Sequence, residues 1–223
     1  FQVKLTSIYQ VPGIKSKYDG FSCGGALIAP QVVLTAGHCT IQNNSLAINV
    51  TAEIRAFGEV ITAKPIPHEK YRTNPDNSLD IEPYDIALLH LATPLKHGIA
   101  FPKLNDQKLL EQPGTVIQAI GYGRTEKEDY PDNLMGTNIT ILDHNYPYEH
   151  VFLTKGDTST CQGDSGGPAF VRRGQDHILV GITSGLRVNS DTNLCEQPNA
   201  FTSVYDFQDW IKGTMMRLNK NLY

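Results

Sequence analysis

Residues 161–170 read CQGDSGGPAF, with three glycines, a proline and an acid crowded around Ser165. Such a run is poor at making either helix or strand, because glycine loses the most conformational entropy on ordering and proline donates no backbone hydrogen bond. Glycine gains access to backbone shapes closed to other residues. One use of such a shape is to aim N–H groups at a developing negative charge beside a nucleophilic hydroxyl. In isolation, a plain glycine-rich turn between two strands reads the same way. A base, and an acid to orient it, must come from elsewhere in the chain.

Two other stretches supply them. VLTAGHCT (33–40) ends an apolar run with His38 directly before Cys39, and EPYDIALLHL (82–91) sets Asp85 directly before another apolar run. Alone, His38 reads as a structural residue and Asp85 as a turn residue. With Ser165 they form the set that acyl transfer needs. A hydroxyl too weak on its own meets an imidazole that takes its proton, and a carboxylate fixes the tautomer and stabilises the imidazolium.

The surrounding chain is rich in short β patterns. GGALIAP (24–30), AEIRAFGEVITA (52–63), GTVIQAIGYG (114–123) and HILVGITSG (177–185) alternate apolar with polar or form short apolar runs. Many short strands with regular turns imply an all-β sandwich or a pair of barrels. One helix is expected near the end, where Phe207, Trp210, Ile211, Met215 and Leu218 share a face after an N-cap at Asp206, with Gly213 weakening its middle. That stripe reads as a packing face. The stretch 97–114 lacks strand alternation and is expected to link two domains, 1–100 carrying His38 and Asp85, and 101–223 carrying Ser165 and the helix.

Bulk properties narrow the function. At 223 residues with 40% hydrophobic and 19% charged content, the chain supports a real core. The net charge of -4 comes without blocks of like charge, which argues against nucleic acid as the main partner. No apolar run reaches the roughly 20 residues of a membrane span. The opening FQVKLTSIYQ alternates like a strand and lacks a leader pattern. Cys23, Cys39, Cys161 and Cys195 form no C-x-x-C. They fit two disulfides in an oxidising compartment, or four buried thiols in a cytosolic one. Asn43, Asn49 and Asn138 head glycosylation sequons, a weak signal in a chain this rich in asparagine.

CGGALIAPQVVLTAGHC (23–39), DIALLHL (85–91) and CQGDSGGP (161–168) together resemble the chymotrypsin/trypsin family of serine endopeptidases, in that family's order. The likeness runs from FQVKL to FQDWIK in the terminal helix. It implies two antiparallel six-stranded β-barrels of chymotrypsin type with a C-terminal α-helix, and a catalytic cleft between them. It makes His38 the general base, Asp85 its orienting acid and Ser165 the nucleophile, with the N–H groups of Gly163 and Ser165 as oxyanion hole. It pairs Cys23 with Cys39 and Cys161 with Cys195, and puts Ile117 and Val171 where the family has a barrel-spanning bridge. It implies no cofactor and no metal. Polypeptide substrates and protein protease inhibitors are the implied partners of a secreted (or periplasmic) monomer that engages neither nucleic acid nor membrane. One rival is a protease-like binding protein that keeps the fold without cutting. An α/β-hydrolase is disfavoured because its histidine follows the serine.

The same resemblance builds a specificity pocket from Ser159 at the base, Thr160, the wall Ser184, Gly185 and Leu186, and Asn199 where the family has glycine. A neutral Ser159 gives no charge for Arg or Lys, so uncharged, small to medium side chains are expected, with aromatic ones as runner-up. Asp191 is the one acid that would restore basic specificity. The loop before Asp85 is longer than usual, and its Asp76, Asp80 and Glu82 lack calcium-loop spacing. Family zymogens are cut to expose an Ile or Val whose ammonium pairs with the acid before the nucleophile, here Asp164. FQVKL starts downstream of that point. Three expectations stay open: a segment missing from the given chain, an inactive form, or an internal base, Arg124 or Lys127.

Overall fold

The computed structural model describes residues 1–10, 17–42, 45–72, 82–127, 130–144 and 148–220. Asp76, Asp80 and the Asn43 sequon lie outside the described residues. The N-terminal half runs through β1 (Gln2–Gln10), β2 (Lys17–Ala29), β3 (Val32–Thr35), the hairpin β4 (Ile41–Gln42) and β5 (Ser45–Leu46), then β6 (Asn49–Ile54), β7 (Glu59–Pro67) and β8 (Ala87–Leu91). Six of these strands close an antiparallel barrel in the order β1-β2-β3-β8-β7-β6. Alternation explains the inward face. Val3, Leu5, Ser7 and Tyr9 are buried along β1, and Val50, Ala52 and Ile54 along β6. The apolar runs of β3 and β8 sit side by side, Val33 opposite Leu89 and Leu34 opposite Leu88.

The C-terminal half holds β9 (Lys103–Leu104), β10 (Val116–Gly121), β11 (Met135–His144), β12 (Val151–Lys155), β13 (Pro168–Arg173), β14 (Asp176–Val188), β15 (Cys195–Ser203) and α1 (Val204–Lys220). Strands β10 to β15 form the second barrel, closed by pairing of β13 with β14, and β9 adds in parallel to β14. Two six-stranded antiparallel barrels with one C-terminal helix are thus the architecture. Ile117 and Val171 belong to one apolar cluster of the second barrel, beside Ile139, Phe152 and Phe201.

Two local expectations are corrected. The N-cap of α1 is Ser203, three residues before Asp206: its Oγ accepts the Asp206 N–H at 3.0 Å, and Asp206 lies in the first turn. The stretch 97–114 is also more structured than a plain linker, because it contains β9 and a 3₁₀ turn at Lys108–Glu111. Glu111 anchors that turn. Its carboxylate is fully buried and accepts from Asn105 Nδ2 at 2.8 Å, the Tyr205 N–H at 3.0 Å, Ser203 Oγ at 2.5 Å and His144 Nε2 at 3.3 Å. Four donors make burial of the charge tolerable. As the helix stripe implied, Phe207 and Ile211 are buried and Trp210, Met215 and Leu218 pack against the same core.

Candidate active site

The end of β3 turns into Ala36–Cys39, and this turn is clamped from several sides. The Cys23–Cys39 disulfide ties it to β2. The Cys39 carbonyl accepts from Ser7 Oγ at 2.6 Å and from the Tyr9 hydroxyl at 2.9 Å, both on β1. His38, held between these restraints, meets Asp85 at the mouth of β8. Its backbone N–H donates to Asp85 Oδ1 at 2.8 Å, and its ring Nδ1 lies 2.8 Å from Oδ2. A carboxylate only accepts, so Nδ1 carries the proton and Nε2 is left as the basic nitrogen.

Asp85 is 2% exposed. Burial alone would raise its pKa. The charge of His38, hydrogen bonds from its ring and from Ser184, and the His38 N–H outweigh that and hold the carboxyl below its ordinary range. Ser184 Oγ donates to Oδ2 at 2.6 Å, and Thr202 Oγ1 donates to the Asp85 carbonyl at 2.9 Å. Both come from the second barrel, so the acid of the first is fixed across the interface. The resemblance places Ser184 in the substrate wall. Its hydroxyl serves the acid of the other barrel, at a point where the β14–β15 register shifts between Thr183 and Gly185.

Ser165 reaches the same interface through its backbone. The Gly24 N–H of β2 donates to the Ser165 carbonyl at 2.6 Å, the Gly166 N–H to Thr183 O at 2.7 Å, and the Thr183 N–H to Gly167 O at 2.9 Å. Only glycine fits at 166. A Cβ there would stand 2.2 Å from Thr35 Oγ1, 2.6 Å from Gly24 O and 3.1 Å from Sγ of Cys39, the residue after His38. Gly163 takes φ +95°, a left-handed conformation suited to glycine. Among the described residues, the N–H groups of Gly163 and Ser165 have no acceptor, and no hydrogen bond joins the Ser165 hydroxyl to His38. In free enzymes such contacts are often long and tighten on substrate binding.

Asp164 points inward. Its Oδ1 accepts the Gly123 N–H at 2.8 Å and its Oδ2 the Cys161 N–H at 2.9 Å. Burial raises its pKa, and these two bonds offset that only in part. Arg124, one of the internal bases left open, does not pair with it among the described residues. Its guanidinium binds Gln162 Oε1 at 3.1 Å and the Asn193 carbonyl. Among the described residues no basic side chain pairs with Asp164, Lys127 included. A cavity of about 580 Å³ borders Asp164, lined among others by Gly121, Met135, Ser159, Thr160 and Leu194, while His38 and Ser165 do not line it.

Of the residues expected in a specificity pocket, Ser159, Thr160 and Asn199 are hydrogen-bonded together. Asn199 is fully buried and accepts the Thr160 N–H at 2.9 Å through Oδ1. Its Nδ2 donates to Ser159 Oγ at 2.9 Å and to the Glu196 carbonyl at 3.2 Å. Gly185 pairs with Ala200, and Leu186 is half-buried on β14 beyond it. Asp191 lies in an exposed turn, where its N–H binds Asn189 Oδ1 at 2.9 Å. The Cys161–Cys195 disulfide joins the segment before Ser165 to β15. Cys23, His38 and Cys39 cluster closely enough to suggest a metal site, but both sulfurs are in the disulfide and offer no thiolate.

A two-barrel fold with a buried aspartate paired to a part-exposed histidine, and a glycine-held serine loop at its seam, defines the class of serine endopeptidases. The family model for trypsin matches residues 4–211, and the chain belongs to that family. It is 31% identical over 209 residues to the thrombin-like enzyme acutin of Deinagkistrodon acutus, covering 86% of this chain and 85% of that one. It is 28% identical over 205 residues to trypsin iota of Drosophila melanogaster, covering 85% and 77%. Among solved structures, HL collagenase superposes with a TM-score of 0.73 at 23% identity, covering 96% of this chain and 92% of that one. No helix among the described residues is long and apolar enough to cross a membrane.

Proposed function

We propose that this serine endopeptidase cuts polypeptides through Ser165, His38 and Asp85. The single observation that carries the reading is the doubly hydrogen-bonded His38–Asp85 pair beside the serine loop. Ser165 Oγ attacks the scissile carbonyl carbon while His38 Nε2 takes its proton. The C=O π pair moves onto oxygen, and that oxyanion is received by the N–H groups of Gly163 and Ser165. Collapse expels the amine, protonated by His38, and leaves an acyl-Ser165 ester. Water, deprotonated by His38, releases the acid and restores the hydroxyl. Asp85 stays ionised throughout.

In this reading Asn199 closes the floor of the primary pocket. Its amide is spent on Ser159, Thr160 and Glu196, and Ser159 at the base carries no charge, which supports a preference for uncharged, small to medium side chains. Asp164 orders the oxyanion segment and is the acceptor for an ammonium entering the adjoining cavity; its raised pKa and two N–H donors support this. Two disulfides and no free cysteine support an extracellular or periplasmic setting, and membership of the trypsin family supports protein inhibitors as partners of a monomeric working form. The test is turnover of peptide substrates by Ser165→Ala and His38→Ala, each expected to lose on the order of a millionfold in kcat. Substantial peptidase activity surviving in Ser165→Ala would end the proposal.

A further inference from the structure

Asp85 owes its aim to a sharp bend, and the bend begins with a residue in an uncommon conformation. Tyr84 has φ +60°, a left-handed backbone at a large aromatic residue. Such an outlier is sparsely populated and persists only where its surroundings over-determine it. Two residues on, the Ile86 N–H donates to the Tyr84 carbonyl at 2.8 Å, so the chain folds back around Asp85 in a three-residue turn. The Ile86 carbonyl accepts the His68 N–H at 2.9 Å. The carboxylate at the apex of this turn is thereby pointed at His38.

The ring of Tyr84 is gripped by three elements. His68, just past β7, stacks on it at 5.1 Å with 27° between planes. Phe207 of α1 meets it edge-on at 5.9 Å, and His150, in the β11–β12 connection, lies tilted against it at 5.5 Å. His150 is itself left-handed, at φ +68°. Charged groups frame the socket: Lys70 Nζ lies 5.1 Å over the Tyr84 ring, Asp206 Oδ2 is 3.1 Å from His150 Nδ1, and Glu69 Oε2 accepts from Trp210 Nε1 at 3.0 Å. The ring makes these contacts through its faces and edge. No hydrogen bond of the Tyr84 hydroxyl is present among the described residues.

We infer that Tyr84 is a positioning residue for Asp85, its ring locked by His68, His150 and Phe207 so that the left-handed turn holds and the carboxylate keeps its aim. The terminal helix and the second barrel thus set the geometry of an acid carried by the first. This rests on the reading that Asp85 orients His38. The ring locks by packing, so its hydroxyl is dispensable. Loss of the ring lets the turn relax and loosens the Oδ2–Nδ1 contact. A misplacement of about 1 Å costs up to about a hundredfold in rate.

The experiment compares Tyr84→Phe, Tyr84→Ala and Tyr84→Gly with wild type and Asp85→Asn, using steady-state kinetics on a short ester from pH 5 to 9. Tyr84→Phe should stay within about threefold of wild type in kcat. Tyr84→Ala and Tyr84→Gly should lose about ten- to a hundredfold in kcat, with little change in KM. Their acid limb of kcat/KM should move to lower pH, because a poorly aimed carboxylate stabilises the imidazolium less. Tyr84→Gly has no left-handed penalty and guards against a variant that fails only by unfolding. His150→Ala, outside the segment that carries Asp85, should shift the limb in the same direction. A folded Tyr84→Gly or His150→Ala with wild-type kcat and an unmoved acid limb would overturn the inference while leaving the triad standing. Wild-type activity in Asp85→Asn would overturn both.

Discussion

Ser184→Ala probes the cross-barrel hold on Asp85. Ser184 Oγ is one of three donors to a carboxylate that is 2% exposed, and its 2.6 Å bond is the shortest of them. A hydrogen bond to a charged group contributes about 1.5–3 kcal/mol, and a buried acceptor left short of a donor loses that amount. At 1.36 kcal/mol per pH unit, the Asp85 carboxyl should titrate about one to two pH units higher in the variant. For a domain of this size the melting temperature at neutral pH should fall by about 3–12 °C. The sign with pH follows from the depressed folded pKa of Asp85. The stabilisation is complete above the unfolded carboxyl pKa and is lost as pH falls through the folded one. The gap between wild type and variant should therefore be widest at pH 7 and shrink toward acid. Urea unfolding of both proteins, from pH 7 down to the onset of acid unfolding, reads this directly. An equal gap at every pH, or no gap at pH 7, would refute the reasoning.

Asn199→Gly should remove the pocket floor, raising kcat/KM for substrates with long apolar side chains relative to alanine by about tenfold or more, since each added methylene is worth about 1–3 kcal/mol. An unchanged peptide-library profile would clear Asn199 of that role. His144 has its pKa raised by its bond to Glu111, with burial opposing. Its contribution to stability should be full below the unfolded imidazole pKa and fade as pH rises through the higher folded value. Glu111→Gln should flatten that part of the stability–pH curve, which denaturant titrations between pH 5 and 9 would measure.

Much of the fold was legible in the chain because strand alternation is a local property. The inward faces of β1, β6 and β10 follow from every second residue. His38, Asp85 and Ser165 stood out because each lies in a motif whose neighbours limit its backbone. What the sequence concealed depends on contacts between distant segments. The hydroxyl of Ser184 looks like any strand serine until the fold brings it against Asp85, 99 residues away in the chain. Tyr84 gives no sign of its left-handed backbone, since aromatic residues seldom adopt it. Glu111 reads as a solvated linker acid, yet donors from three separate elements meet it in the interior. The start of α1 is ambiguous in the sequence because Asp206 and Ser203 are both good caps, and only the direction of the Ser203 hydroxyl decides between them.

The most direct test of Ser165 as nucleophile is covalent capture with a serine-directed fluorophosphonate, read by intact mass and peptide mapping. One adduct per chain should form, confined to the peptide that contains Ser165, and it should be absent from Ser165→Ala and slowed in His38→Ala. Active protein that forms no adduct, or an adduct on a different residue, would contradict the assignment of Ser165.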